Sequence, residues 1–225
     1  MPDSTDWYRR TTWTDEDRQA FFGRLLQSQS TFHKAQYARI QADALWATGD
    51  RALVGSARDL YVFVVREYAH EESQLLPAQV GRATCSAELD DREETLEALL
   101  GAVSAHRSSP GWHPSALVKA GELAVRDRHT DAYPALDEAL SGIMRRRALT
   151  LPSDLYAACY ALAFMAEQQG DRPRAQAYAH GALRAMAMSR TNDRRLPPGG
   201  LVRQPSAVVH ERLLALAGPG HLKNK

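Results

Sequence analysis

The sequence predicts an all-α fold of antiparallel helix pairs, and three observations predict it. Alanine and leucine recur at helical spacing along most of the chain. Alternating apolar and polar runs bounded by turn residues, the mark of strands, are nearly absent. Breakers such as Gly49-Asp50, Ser108-Ser109-Pro110-Gly111 and Gly170-Asp171 fall between the periodic segments.

The elements follow in order. Thr14 is an N-cap with Asp15 and Glu16 in the first turn, and Phe21, Phe22, Leu25 and Leu26 supply the apolar stripe of a helix ending near Ser28. A second helix is expected from about Phe32 to Thr48 and a third from Arg51 to Tyr68, around the run Leu60 to Val65. Pairs are then expected at Ser73 to Glu88 with Asp91 to Ala105, Pro114 to Arg128 with Asp131 to Arg147, and Ser153 to Gln169 with Arg172 to Met188. Thr191 to Gln204 reads as a loop around Pro197-Pro198-Gly199-Gly200, and a short final helix, Ser206 to Ala217, ends at Gly218. The whole chain is expected as one domain: an N-terminal segment and helix over 1–30, helix pairs over 31–189, a basic loop over 190–205 and the terminal helix over 206–218.

Composition bounds the function classes. The apolar share of 44% and charged share of 24% are ordinary for a folded chain and argue against wholesale disorder. A formal net charge of +1 lacks the basic excess typical of a nucleic-acid or anionic-membrane binder, so neither partner is expected. The opening Met1 to Asp6 has neither the basic start nor the apolar core of a secretory signal, and the apolar run Leu155 to Ala166 falls short of the roughly 20 residues that span a bilayer. Cys85 and Cys159 stand isolated in helical patterns and read as small buried side chains. A cytoplasmic location is the expectation. Lysines occur only at 34, 119, 223 and 225, which points to a bacterial, GC-rich coding origin more than to a mechanism.

The segment Leu155 to Ala185 carries a further pattern. Leu162-Ala163 forms a large-small pair, Gly170-Asp171 a turn, Ala175 a small residue early in the second helix and Ala182-Leu183 another contact further along. Small side chains are needed where two helix backbones approach closely. With these residues the segment resembles a tetratricopeptide repeat, a helix pair of about 34 residues. Looser copies run through Val80-Gly81-Arg82-Ala83 with Glu93 to Leu100, through Ala120-Gly121 with Leu136 and Ala139-Leu140, and through Ala42 and Leu45 before Gly49. The copies are spaced more widely than the family period, and the family's proline after the second helix is mostly missing. The resemblance implies an α-solenoid with a C-terminal capping helix, and a concave groove lined by the first helix of each pair.

Carried onto this chain, the groove positions are Gln36, Arg39, Asp43, Trp46, Arg82, Tyr160, Phe164, Glu167 and Gln168, with Glu122 and Arg126 joining them if the middle register holds. Arginine, aromatic and carboxylate side chains together suit protein recognition. Trp46, Tyr160 and Phe164 equally fit ordinary core positions. The resemblance thus implies a non-catalytic adaptor that grips a protein or peptide. The alternatives are an immunity protein covering a toxin, and a nucleic-acid-linked regulator using the loop arginines Arg190, Arg194, Arg195 and Arg203.

No catalytic constellation, metal or cofactor is expected. The eight histidines are scattered without a His-Glu-x-x-His spacing, and neither a phosphate-binding glycine loop nor a Gly-x-Ser-x-Gly elbow occurs. His70-Glu71-Glu72 reads as a solvated helix end. Trp7 and Trp13 read as anchors pinning the N-terminal segment over the first helices, with a docking patch as the alternative. Arg145-Arg146-Arg147 reads as a positive helix C-terminus.

Overall fold

The computed structural model describes residues 6–111, 113–190, 202 and 206–218, and among them every regular element is a helix. The helices are α1 (Asp15–Gln27), α2 (Thr31–Trp46), α3 (Arg51–Glu67), α4 (Glu72–Glu88), α5 (Arg92–Ser108), α6 (Pro114–Arg126), α7 (Tyr133–Arg145), α8 (Pro152–Gln168), α9 (Arg172–Arg190) and α10 (Ala207–Ala217). A single 3₁₀ turn, Thr130–Ala132, leads into α7. None of these helices is long and apolar enough to cross a membrane.

Their starts follow from side-chain chemistry. Thr14 accepts from the Asp17 N–H at 3.2 Å while Asp17 accepts from the Thr14 N–H at 3.1 Å, a reciprocal capping box at the start of α1. Ser30, Asp50, Asp91 and Ser206 cap α2, α3, α5 and α10 in the same sense. Each such cap satisfies a backbone donor that the helix itself cannot, and is worth about 1 kcal/mol.

The ends share one device. After α4, α6, α7 and α8 the N–H of the second residue beyond the cap reaches back five residues, as Asp91 to the Ser86 carbonyl at 2.9 Å and Asp171 to the Ala166 carbonyl at 2.9 Å. The residue between must be left-handed. Gly170 takes that conformation easily at φ 75°, but Asp90, Arg128 and Arg147 hold it at φ 64°, 56° and 52°. A side chain there costs roughly 1–2 kcal/mol. Arg147 is exposed, so Arg147→Gly is expected to stabilise the fold by about 0.5–1 kcal/mol, read as a higher urea midpoint at unchanged slope. A lower midpoint would show that the turn is not strained.

The contacts gather into two compact units, Met1–His113 and Pro114–Lys225, dividing just after the breaker Ser108–Gly111. Neighbouring helices pack in succession within each. In the first unit α1 packs on α2, α2 on α3, α3 on α4 and α4 on α5, and α2 also touches α4. In the second, α6 packs on α7 and α8, α7 on α8, α8 on α9, and α10 lies on α9 and α8. First helices of consecutive pairs therefore touch within each unit, a succession consistent with a helical repeat.

Glycine and alanine mark the crossings. A Cβ added at Gly81 of α4 would overlap the ring of Tyr61 on α3, a side chain only 2% exposed. At Gly121 of α6 it would meet Leu140 Cδ1 of α7 at 2.7 Å and Ala161 Cβ of α8 at 3.3 Å, and at Gly181 of α9 the Cys159 Sγ of α8 at 2.8 Å. Ala175, Ala179, Ala182 and Ala185 form the buried stripe of α9. Cys85 and Cys159 are both buried and form no disulfide, and burial pushes the Cys159 thiol up to about 11.

Trp7 and Trp13 pack on the first helices. Trp7 lies against Phe21 and Tyr37, Trp13 against Phe21, and Tyr8 stacks on Tyr37 at 4.6 Å. Beneath them the fully buried Gln41 accepts from the Arg10 N–H at 2.9 Å and donates to the Arg10 carbonyl at 2.7 Å. That pairing carries no local signal, because a glutamine in mid-helix ordinarily faces solvent.

Candidate functional site

The groove positions of the first unit are tied into helix contacts. Arg39 of α2 donates to Gln74 Oε1 of α4 at 3.0 Å and to Asp43 at 2.8 Å, and Asp43 in turn accepts from the Tyr61 hydroxyl at 2.6 Å. Trp46 donates its indole N–H to Glu88 of α4 at 2.9 Å. Gln36 is half-buried. Arg82, expected to face a ligand, is instead buried: its guanidinium donates to Glu94 at 2.6 Å and pairs with Glu97 at 2.9 Å, both on α5. A long charged side chain among the small residues of α4 reaches the partner helix more easily than solvent.

The second unit brings its expected positions together on one face. Tyr156, Tyr160 and Phe164 lie four residues apart along α8 and form an aromatic row, with Tyr156 parallel to Tyr160 at 6.4 Å and Tyr160 edge-on to Phe164 at 4.8 Å. Tyr160 is half-buried, whereas Phe164 is 4% exposed because the Arg212 guanidinium of α10 lies 3.9 Å over its ring. Arg212 also donates Nε–H to Glu167 at 3.0 Å and pairs with the same carboxylate through Nη2. Phe164 is thus a core residue beneath α10, and Glu167 is engaged by it. Gln168 is exposed at the end of α8.

Glu122 of α6 stands beside this row. Burial pushes its carboxyl above the ordinary range, with Asp154 adding to the shift and Lys119 and Arg126 opposing it. Burial raises the phenols of Tyr156, to about 12, and of Tyr160, with Tyr160 and then Glu122 adding to the first and Glu122 to the second. Arg126 is exposed and reaches Asp127 at 2.7 Å. The face therefore brings together the half-buried Tyr160 ring, a carboxylate held above its ordinary range and guanidinium groups. Among the described residues no three histidine, cysteine or acidic side chains are placed to hold a metal ion.

Arg194, Arg195 and Arg203, and the side chain of Arg190, lie outside the described residues. Tyr156 and Arg212 were missed by sequence reasoning. Tyr156 carried a signal, its spacing of one helical turn before Tyr160. Arg212 carried none, since its partners lie more than forty positions earlier in the chain.

Comparison with known proteins yields no matching family model, no matching curated protein and no matching solved structure.

Proposed function

We propose that this chain is a non-catalytic scaffold whose helix pairs stack within each unit in the manner of tetratricopeptide repeats and present the faces of their first helices to a partner protein or peptide in the cytoplasm. The observation that carries the reading is that Tyr160 and Glu122 lie on α8 and α6, two first helices in contact, with the carboxylate adding to the rise of the phenol. A half-buried tyrosine beside a partly desolvated carboxylate is the kind of rigid amphipathic anchor that dominates protein interfaces. The ties through Arg39, Asp43 and Gln74 support it by holding α2 and α4 in fixed register.

The test is capture of partners from the native cell, followed by affinity measurement on the purified complex. Tyr160→Ala is expected to weaken the complex by more than about 1 kcal/mol, with the helical circular-dichroism spectrum unchanged. A complex of unchanged affinity in both Tyr160→Ala and Glu122→Gln would remove this face as the contact surface.

A further inference from the structure

The terminal helix sits loosely on the second unit. α10 carries the large apolar side chains Val208, Val209, Leu213, Leu214 and Leu216, yet only Leu213 and the small Ala217 are buried, and Val208 is 75% exposed. On α8 the run Ala161 to Ala166 is, by contrast, buried without a break. Two hollows, of about 220 and 470 Å³, open at α10, and Arg212 lines both, joined in the larger by Ala215 and Leu216. Close-packed elements leave few spaces larger than a water molecule. His210 of the same helix has a buried Nδ1 with no hydrogen-bond partner among the described residues, a cost that seating α10 incurs and releasing it removes.

The polar ties that seat α10 are few. Arg212 lies over Phe164 and pairs with Glu167, and Gln176 of α9 donates to the Ala217 carbonyl at 3.0 Å. The Arg212 and Glu167 side chains are 40% and 34% exposed, so water and salt screen their attraction. An isolated helix shorter than about 12–15 residues is marginal in water, so α10, with 11, keeps its form through this contact. Phe164 and Glu167 are also positions that the repeat resemblance gives to a ligand. The helix of the chain itself thus occupies part of the face on which a partner is expected.

We infer that α10 is a displaceable occupant of this face, and that what replaces it is an amphipathic helix of a partner protein, carrying an arginine for Glu167 and a leucine for the seat of Leu213. The inference rests on the proposed function and names the chemistry of its partner. While α10 is seated, Arg212 covers Phe164, and the ring becomes available only as α10 leaves. Release of α10 and entry of the partner are therefore one equilibrium. A tethered segment competes at an effective concentration on the order of millimolar, which sets the affinity that a partner helix must exceed.

The experiment follows amide hydrogen exchange and peptide binding in the full-length protein. The amides of α10 are expected to exchange at least ten-fold faster than those of Ala161 to Ala166, and Arg212→Ala to speed them at least ten-fold more while the α8 amides keep their rate. The probe is the acetylated and amidated peptide of residues 206–218, followed by nuclear magnetic resonance at the Phe164 and Glu167 amides. It should bind the Arg212→Ala protein at least ten-fold more tightly than the unaltered protein, whose own α10 holds the seat. The same peptide carrying Arg212→Ala should bind at least ten-fold more weakly. Exchange of α10 and α8 at one common rate, absence of peptide binding, or equal binding of the two peptides would overturn the inference. A dimer of the unaltered protein that grows with concentration would also overturn it, in favour of α10 exchanged between two copies. A captured partner that is lost with Tyr160→Ala but held equally by the unaltered and Arg212→Ala proteins would overturn it too, and leave the proposed function in place.

Discussion

Tyr61→Ala is expected to remove about 3–5 kcal/mol from the stability of the first unit, the cost typical of deleting a fully buried aromatic ring. Tyr61 is among the largest fully buried side chains, and its loss would leave a void between α3 and α4 at their closest approach, against Gly81. It would also leave Asp43 without the hydroxyl that binds it at 2.6 Å. Gly81→Ala makes the complementary measurement. Alanine improves helix propensity by about 1 kcal/mol, but overpacking against the ring costs about 1–3 kcal/mol, so the single change is expected to destabilise. In the Tyr61→Ala background the clash is gone and the same change should become stabilising. Urea denaturation of the four proteins closes the cycle, and additive effects would show that the ring and Gly81 do not meet.

Arg82→Ala is expected to cost about 3 kcal/mol, because removal of one partner leaves a partly buried Glu94 without its counter-charge. The side chains of Arg82 and Glu94 are 9% and 23% exposed, and Glu97, at 68%, contributes less. The pair also predicts a pH dependence. The Arg82 hydrogen bond, the largest influence on Glu94, holds its carboxyl below 4.5 in the folded state. The stabilisation is therefore complete above the unfolded value and is lost as pH falls through the depressed folded value. In the Arg82→Ala protein that acid-side loss should shrink. A stability profile of the same slope in both proteins between neutral and strongly acid pH would contradict the pairing.

The helices were legible because their signals are local. Thr14, Asp50, Asp91 and Ser206 each act on a backbone donor two or three residues away, and Gly49 and Gly170 supply left-handed turns, so caps and stops could be read without any tertiary knowledge. The fifth helix shows the limit: it was expected to end at Ala105 and runs to Ser108, since serine neither favours nor forbids another turn. The turns at Asp90, Arg128 and Arg147 were less visible, because none of these residues advertises a left-handed conformation.

The site was legible in part for the same reason. Tyr160 and Glu122 are placed by helical spacing on α8 and α6, two helices in contact, where the Glu122 carboxylate adds to the rise of the Tyr160 phenol. Arg82 and Phe164 had the spacing of groove residues but were claimed by contacts with α5 and α10. Whether a side chain at a given spacing meets solvent depends on what lies across from it, and neither Glu94 nor Arg212 is fixed by the local pattern.

The pairing of Gln41 with Arg10 ties the fate of an irregular segment to that of the first unit as a whole. A segment without helix or sheet normally opens on its own, exchanging its amide protons freely while the body stays folded. Here the Arg10 amide is bonded to a side chain with no exposure to solvent, and peeling the segment away would strand both ends of the Gln41 amide and bare Phe21 and Tyr37. The segment is thereby coupled to the cooperative opening of α1 and α2, so that residues outside every helix belong to the same unfolding unit as the core they cover.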